Sequence, residues 1–506
     1  MIPVYKRKGF DTAKYLEAQT KAIKERVEKF NGKLYLEFGG KLGYDLHAAR
    51  VLPGYEPTAK VQLLKRLKDI EIIYCVGAKD IQKGRVRRDF GLTYDNQTLK
   101  DINDLSLLGL KVRAVVITRF EGESLAKRLK QKLKARGIDT YLQTEIKGYP
   151  NNIEKVVSKS GYGSQPYVKT TKSIVIVTGA GGGSGKMSFC LSQMYHDRQK
   201  NIKSGFAKFE TFPIWNLPLK HLVNTAYEAA TADLQDVNMI DPFHKKAYKV
   251  TAVNYNRDIE NFSILKELIL KIVGNDNYSF QYKSPTDMGV NTAKDGIVDD
   301  EVVTQAARQE IVRRYLRYYR ERIEGDETQE TVDWMKKIMD NVKVKVTDRS
   351  VVNPARNTKE QGLKQGKGYK GVCCACAIEL LDGRIVTGKN SNLLHAESAV
   401  VLNAIKILAD ISEEIDLLSK KIVKKIISFK KEFLDSKSGA LNLDETLIAL
   451  SICAAADPLA EKALNMLEKI KGCEMHLTHL PDRVNESALI KLKINFTSDA
   501  ELAFNT

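Results

Sequence analysis

The stretch SIVIVTGAGGGSGKMSFC at residues 173–190 constrains the fold more than any other part of the chain. A β-branched apolar run leads into a cluster of glycines that ends at Lys186, and a helical pattern follows. Successive glycines allow backbone N–H groups to point into one concavity, and the start of the following helix favours an anion. The stretch therefore predicts a strand, a phosphate-binding loop and a helix from Lys186 to about Gln199.

The loop resembles the P-loop pattern G-x-x-x-x-G-K-[ST], with two differences. Ala180 stands at the first glycine position, and Met187 stands where a Mg²⁺-binding hydroxyl is expected. ATP or another nucleotide with Mg²⁺ is the expected cofactor. A dinucleotide and a tight turn without a ligand are the alternatives. The residues predicted to bind the cofactor are Gly179, Gly181, Gly182, Gly183, Ser184, Gly185, Lys186 and Ser188.

Apolar runs alternate with helical patterns elsewhere in the chain. KLYLEF at 33–38, IEIIYCVGA at 70–78, KVRAVVITRF at 111–120 and GFAKFETF at 205–212 are typical of strands buried in a parallel sheet. Strands that alternate with helices predict an α/β fold with Rossmann-like or P-loop-like sheets. SGYGSQPY at 160–167 has the composition of a linker between two such domains.

The character of the chain changes near residue 343. VKVKVTD at 342–348 alternates as a strand does, and a hairpin is predicted to turn at Asp382 and Gly383. Residues 411–433 have one apolar stripe with lysines opposite, as in a long surface helix, and ALIKLKINFTSD at 488–499 suggests a final strand. The predicted domains are an α/β domain over 1–160, an α/β domain with the glycine loop and a helical extension over 161–342, and a smaller α+β carboxyl-terminal domain over 343–506.

The charge of the chain favours anionic partners. Of its 506 residues, 81 are Lys or Arg and 63 are Asp or Glu, which gives a net charge of +18. We expect a phosphorylated small molecule or a nucleotide as the partner. The helix with arginines and tyrosines at 307–323 could contact nucleic acid. A solvent-exposed basic face of an amphipathic helix explains these residues more simply, so we expect no nucleic-acid partner.

Seven irregularly spaced cysteines are typical of reduced thiols in a cytoplasmic protein. The amino terminus lacks the apolar core of a signal peptide, and no run approaches the roughly 18 apolar residues of a membrane span. We therefore expect a cytoplasmic protein that does not bind a membrane. We also expect it to be a homo-oligomer.

Five long motifs in the chain are distinctive. They are KLYLEFGGKLGYDLHAARVLPGYEP, GGGSGKMSFCLSQMYH, ETFPIWNLPLKHLVNTAYEAATADLQDVNMIDPFH, VNYNRD and YKSPTDMGVN. Together they resemble an uncharacterised bacterial family catalogued only as a domain of unknown function, and the resemblance covers nearly the whole chain. It implies an α/β protein with a glycine-rich segment like a P-loop, and it implies no reaction.

Three carboxylates and one lysine are the candidate catalytic residues. Lys186 would neutralise charge on the phosphates. Glu210, Asp241 and Asp287 would orient a metal ion or the substrate, or act as a base. Glu210 is the best placed of the three because it follows a strand next to the loop, where open α/β sheets hold their ligands. Solvated loop acids and helix caps are the alternative explanation.

Two other patterns are typical of zinc sites. HAE at 395–397 and CCAC at 373–376 occur in the wrong order and with the wrong spacing for a zinc deaminase, so we exclude that class. Cys473, His476 and His479 could bind zinc but lack a fourth ligand. The histidine pair could equally belong to a domain interface, and we leave the metal unassigned.

Three functions fit these patterns. The first is a nucleotide- or phosphate-binding enzyme, an NTP-dependent transferase or hydrolase with the chemistry of a P-loop-like protein. The second is a non-catalytic sensor of a phosphorylated metabolite or dinucleotide that has lost the Mg²⁺-binding hydroxyl. The third is a basic protein associated with nucleic acid, for which binding would depend steeply on salt.

Overall fold

The chain divides into two compact units. The first consists of Lys8–Glu228 and Gln235–Val303. The second is built mainly from residues after Val303 and includes the short segment Ala229–Leu234. The computed structural model describes residues 3–84, 86–87, 92–274, 282–434 and 439–502.

Parallel strands form the main sheet of the first unit. The strands of this unit are β1 (Lys33–Phe38), β2 (Ile70–Gly77), β3 (Val86–Arg87), β4 (Leu92–Thr93), β5 (Val112–Thr118), β6 (Asp139–Leu142), β7 (Ile174–Gly179), β8 (Ser204–Phe209), β9 (Asn238–Ile240), β10 (Val253–Tyr255) and β11 (Gly289–Val290). Seven of them pair in the order β11-β8-β1-β7-β2-β5-β6, and all of these pairs are parallel. Two short antiparallel pairs, β3 with β4 and β9 with β10, lie outside this sheet.

Helices cover both faces of this sheet. The helices are α1 (Thr12–Phe30), α2 (Leu46–Val51), α3 (Ala59–Leu67), α4 (Ala78–Gln82), α5 (Tyr94–Leu107), α6 (Ser124–Lys134), α7 (Ile153–Val156), α8 (Lys186–Gln199), α9 (Leu222–Ala230), α10 (Pro242–Tyr248), α11 (Asn256–Val273) and α12 (Pro285–Met288). The connection from β1 to β2 and the one from β7 to β8 run in opposite directions, so right-handed crossovers place α3 and α8 on opposite faces. Burial on both faces explains why the central strands are apolar throughout.

The second unit contains a smaller mixed sheet with helices. Its elements after α13 (Asp300–Ile323), which begins in the first unit, are α14 (Gln329–Asn341), α15 (Val352–Lys364), β12 (Ala375–Glu379), β13 (Ile385–Lys389), α16 (Ala396–Leu408), α17 (Lys420–Phe433), α18 (Leu443–Ala454), α19 (Pro458–Leu464), β14 (Glu474–Leu477), α20 (Arg483–Lys491) and β15 (Asn495–Ser498). The strand order is β13-β12-β14-β15, in which β12 is antiparallel to both neighbours and β14 is parallel to β15. The predicted α/β fold with a smaller mixed domain is therefore confirmed.

Two expectations about domain organisation were wrong. The proposed α/β domains over 1–160 and 161–342 share one sheet, because β7 inserts between β1 and β2. The predicted linker at 160–167 belongs to the core, where Tyr162 is fully buried against the helix α8 side of the sheet. Composition alone could not distinguish this packed glycine-rich turn from a solvated linker.

Three local predictions in the second unit need correction, whereas the hairpin at Asp382 and Gly383 is confirmed. Residues 342–348 alternate but form a turn and a short 3-10 helix rather than a strand. The predicted helix over 411–433 begins only at Lys420, with Ser419 as its N-cap. The apolar residues after Ala488 first complete α20, and only Asn495–Ser498 form a strand. In the described ranges, no helix combines the length and the apolar character that a membrane crossing requires.

Candidate functional site

The glycine loop lies at a switch point of the parallel sheet. From β7 the chain continues to β8, which lies toward one edge of the sheet. From the neighbouring strand β2 it continues to β5, which lies toward the other edge. Adjacent strands whose connections diverge leave a crevice outside their carboxyl ends, and open α/β sheets bind ligands there. The chain order therefore places the loop that follows β7 at the mouth of such a crevice.

Close packing against neighbouring strand ends explains two of the glycines. A Cβ atom at Gly179 would come within 2.4 Å of the carbonyl oxygen of Cys75. Gly185 has φ +78°, and a Cβ atom there would lie 2.8 Å from the side chain of Thr118. The hydroxyl of Thr118 in turn donates to the carbonyl oxygen of Ser184 at 2.9 Å, which ties the loop to the end of β5.

The loop presents a row of donors that the described part of the chain leaves without acceptors. The amide of Ala180 donates to the carbonyl oxygen of Cys75 at 3.1 Å, but the five amides from Gly181 to Gly185 donate to no described residue. The hydroxyl of Ser184 is buried and also lacks a partner among the described residues. Gly182 and Gly183 are exposed, whereas Ser184 is buried, and buried polar groups are nearly always hydrogen-bonded. Successive amides beside a buried hydroxyl are suited to an oxygen-rich anion.

Lys186 is the first residue of α8 and lies beneath the loop. Its Nζ atom is 3.4 Å from the carbonyl oxygen of Gly181, to which it donates, and 3.8 Å from Oε1 of Glu37. The side chains of Lys186 and Glu37 are only 11% and 14% exposed. The ammonium group is thus held at the loop by a carboxylate on the neighbouring strand β1.

A cluster of charged residues adjoins this pair at the ends of β1 and β8. Glu37 and Lys208 stand opposite each other in the parallel register, so both side chains point to the same face of the sheet. Nζ of Lys208 binds Asp258 at the start of α11 and is 3.8 Å from Oε1 of Glu210. One carboxylate oxygen of Glu37, Oε2, is buried without a hydrogen-bond partner among the described residues.

This environment shifts two pKa values. The pKa of Glu210 is raised to about 8, mainly by burial. The negative charges of Asp258 and Glu37 also raise this pKa, whereas the positive charge of Lys208 lowers it. Burial lowers the pKa of Lys208, but the charges of Asp258, Glu210 and Glu37 outweigh burial and hold it above its ordinary value. Lys208 therefore stays charged while Glu210 can exchange a proton near neutral pH.

Of the four predicted catalytic residues, Lys186 and Glu210 lie at the strand ends beside the loop. Asp241 is fully buried, caps α10 through the amide of His244 and accepts a hydrogen bond from the hydroxyl of Thr286 at 2.7 Å. Asp287 accepts a hydrogen bond from the hydroxyl of Tyr248 at 2.9 Å. These bonds give both aspartates structural partners, and a catalytic role for either remains a prediction without support from its contacts.

Met187 and Ser188 lie in the first turn of α8, where the P-loop pattern would have a metal-binding hydroxyl. Met187 packs against the hydrophobic core on the α8 side of the sheet. Ser188, one residue later, lies near Tyr149 and Tyr162. Neither residue offers the loop a metal ligand, and Ser184 is the hydroxyl that the loop itself contains.

Sequence reasoning missed three members of the site, namely Glu37, Lys208 and Asp258. Glu37 and Lys208 are charged residues inside otherwise apolar strands, KLYLEF and SGFAKF. Such residues are rarely buried unless they are paired, so their presence in a buried strand was the available sign. Nothing in the sequence indicates that Asp258 would reach Lys208.

The possible zinc ligands of the second unit do not converge. No group of three or more His, Cys, Asp or Glu side chains suited to a metal ion occurs among the residues that the structure describes. His476 bonds to the hydroxyl of Thr497 at 3.0 Å, and His479 bonds to Glu397 at 3.1 Å. Cys473 is buried as a free thiol.

The basic helix α13 is largely neutralised by its own neighbours. Arg313 and Arg314 both bind Glu310, and Arg317 binds Glu321 at 2.8 Å. An amphipathic helix with internal ion pairs accounts for these arginines.

Known protein families and curated relatives match nearly the whole chain. The model described as "Domain of unknown function DUF1846, N-terminal" matches residues 8–343, and its C-terminal counterpart matches residues 347–506. A UPF0371 protein of Clostridium tetani (strain Massachusetts / E88) is 50% identical over 494 residues, with 97% of each chain covered. UPF0371 proteins of Clostridium botulinum are 49% identical over 492 residues in strain Alaska E43 / Type E3 and 50% identical over 496 residues in strain Langeland, with 97% and 98% of each chain covered. The chain therefore belongs to the DUF1846 family, and its relatives in Clostridium are UPF0371 proteins.

Proposed function

We propose that the first unit binds the phosphate groups of a nucleotide or another phosphorylated small molecule and acts on them as an NTP-dependent transferase or hydrolase. The observation that carries this proposal is the row of five amides from Gly181 to Gly185, just before α8, which have no acceptors among the described residues. A phosphate has enough acceptor oxygens to satisfy several such donors, and the helix dipole adds to its attraction.

Lys186 supplies the cation for this anion. Its ammonium group is paired with Glu37 at 3.8 Å and with a loop carbonyl, so the protein already holds it beside the loop. A fixed positive charge contributes most to phosphoryl transfer when it meets charge that develops in the transition state.

Glu210 is the residue best suited to transfer a proton. A pKa of about 8 places its titration near physiological pH, where a general acid or base is most effective. In the ionised form it takes a proton from an attacking hydroxyl or water. Lys208 stabilises that ionised form because the ammonium group lies 3.8 Å from the carboxylate.

A non-catalytic sensor of a phosphorylated metabolite is the second candidate. Met187 favours it, because the P-loop position that normally binds Mg²⁺ carries a thioether packed into the core. The two candidates share the loop and Lys186 but differ in turnover, which makes them separable by experiment.

The test is calorimetric titration with ATP, GTP, NAD(H) and inorganic phosphate, each with and without Mg²⁺, together with an assay of released phosphate. Lys186→Ala is expected to lose binding. Lys172→Ala is the matched control. Lys172 lies before the amino-terminal end of β7, whereas the loop follows its carboxyl end, and Lys172 is likewise paired with a carboxylate, Asp69, at 3.1 Å. Glu210→Gln is expected to keep binding and to lose turnover.

Equal binding by the wild type and Lys186→Ala would contradict the proposal, as would failure of all four anions to bind. Binding without turnover in the wild type would favour the sensor. We further propose that the partner is a small molecule rather than nucleic acid, which the internal pairing of the arginines in α13 supports. We also propose that the protein is cytoplasmic and forms a homo-oligomer, and analytical ultracentrifugation tests the oligomeric state.

A further inference from the structure

Two short segments of the second unit meet at the starts of two helices. The segment His395-Ala396-Glu397 begins α16, and Pro481-Asp482-Arg483-Val484-Asn485 begins α20. His395 and Asp482 are the N-caps of these helices. The side chains of His395, Asp482 and Asn485 touch one another, so residues almost 90 positions apart in the chain form one cluster.

The two segments match the pattern of the zinc nucleobase deaminases in order and in spacing. Those enzymes carry H-x-E followed later by P-C-x-x-C, and the histidine and the two cysteines bind zinc. Here the second segment reads P-D-x-x-N, with Asp482 and Asn485 at the two cysteine positions. The cysteines at 373–376 precede His395 and were the wrong residues to compare, because the matching segment contains no cysteine.

The contacting atoms of the cluster lie about as close together as the ligands of a zinc ion, or closer. Nδ1 of His395 is 3.0 Å from Nδ2 of Asn485 and 3.8 Å from Oδ2 of Asp482, and Nδ2 of Asn485 is 3.0 Å from Oδ2 of Asp482. Tetrahedral zinc with one nitrogen and two sulfur ligands separates those ligands by about 3.5–3.8 Å, as follows from Zn–N and Zn–S lengths of about 2.0 and 2.3 Å. Two of the three contacts are therefore hydrogen bonds too short to enclose an ion.

The residues present nevertheless do not suit zinc. Oδ1 of Asn485 accepts a hydrogen bond from the amide of Leu443 at 2.9 Å, which turns the amide nitrogen toward His395. That nitrogen donates to Nδ1 of His395 and so occupies the lone pair of the ring nitrogen that faces the cluster. Oδ1 of Asp482 accepts from the amide of Asn485 at 2.8 Å, so the cluster is closed by its own hydrogen bonds.

The glutamate of the pattern is also present. Glu397 is fully buried, and its Oε1 atom accepts a hydrogen bond from Nε2 of His479 at 3.1 Å. Its second oxygen, Oε2, has no hydrogen-bond partner in the described part of the chain. In the deaminases this glutamate transfers protons and does not bind the metal.

We propose that the second unit retains the framework of a zinc nucleobase-deaminase centre in which Asp482 and Asn485 have replaced the cysteine ligands. In the native chain, hydrogen bonds among His395, Asp482 and Asn485 take the place of the metal, so the centre neither binds zinc nor activates water. Cysteines at both positions restore a zinc site, because Sγ lies one bond beyond Cβ whereas the present contacting atoms lie two bonds beyond it. The substitutions therefore also open room for the ion.

The test measures zinc in the full chain. The double variant Asp482→Cys, Asn485→Cys is expected to bind about one zinc per chain after exhaustive dialysis, with three protein ligands as in other catalytic zinc sites. Co²⁺ in place of zinc should give the absorption bands of tetrahedral thiolate coordination. The seven native cysteines are all buried and free, which limits their competition for the ion.

Three controls make the result specific. Adding His395→Ala to the double variant should abolish zinc binding, and Asp482→Ser with Asn485→Ser should bind none. Circular dichroism establishes that each variant folds. Because the double variant removes the cap of α20, the single variant Asn485→Cys provides a second route, since its His, Asp and Cys side chains are all zinc ligands.

The proposal is overturned if the folded double variant binds no more zinc than the wild type, or if zinc persists without His395. It is also overturned if the wild type itself binds one zinc that His395→Ala removes, because the native cluster would then be a working metal site. The glycine loop is not involved in any of these outcomes.

Discussion

The glycine loop predicts a graded response to alanine at three of its positions. Gly185 combines φ +78° with a site where a Cβ atom would lie 2.8 Å from Thr118, whereas Gly183 has φ +70° in open space. Gly182 also has open space, and its φ is outside the left-handed region. The three substitutions add the same methyl group, so they separate the cost of backbone strain from the cost of the clash.

The magnitudes follow from these two contributions. Gly182→Ala should change the free energy of unfolding by less than about 0.5 kcal/mol. Gly183→Ala should cost about 1 kcal/mol, because a side chain disfavours the left-handed conformation. Gly185→Ala should cost about 2–4 kcal/mol, since overpacking adds about 1–3 kcal/mol to the same strain.

The assay is urea denaturation combined with hydrogen exchange of the peptide at 173–190. Exchange is needed because the two units need not unfold in one transition. Equal stability of the variants at Gly182 and Gly185 would refute the packing of the loop against β5. A cost at Gly183 as large as that at Gly185 would show that backbone strain, and not contact with Thr118, determines the effect.

Four further substitutions test other parts of the structure. Glu210→Gln should flatten the pH dependence of stability: the folded-state pKa is raised from 4.5 to about 8, so stability of the wild type falls between these values as pH rises, by at most roughly 5 kcal/mol. Asp241→Ala should cost about 2–3 kcal/mol in urea denaturation, because it removes a helix cap and leaves buried donors unpaired, whereas Asp287→Ala should cost less than about 1 kcal/mol. Arg349→Met should destabilise the second unit by about 3–5 kcal/mol, because Arg349 is buried and paired with Glu474.

Each of these predictions has a contrary result. A stability profile of Glu210→Gln that parallels the wild type from pH 5 to pH 9 would place the pKa of Glu210 near its ordinary value. A stable Asp241→Ala variant that loses turnover would make Asp241 catalytic rather than structural. Unchanged hydrogen exchange at 474–498 in Arg349→Met would contradict a supporting role for that side chain.

Local patterns in the sequence were sufficient for the elements that build the site. The β-branched run, the glycines and Lys186 predicted β7, the loop and α8, and the helix ends where the pattern ends, at Gln199. These features depend on side-chain size, backbone freedom and hydrogen bonding over a few residues. The fold class followed for the same reason, because strands that alternate with helices have few stable arrangements.

The contacts between distant segments came only from the tertiary structure. One sheet joins β1 to β7, which brings Glu37 to Lys186 and Lys208 to Glu210, and folding brings His395 to Asp482 and Asn485. Strand order and the meeting of helix ends depend on the packing of the whole unit, and no local pattern encodes them. The sequence by itself thus determined the glycine loop and the helix that follows it, whereas the tertiary structure decided which charges surround the loop.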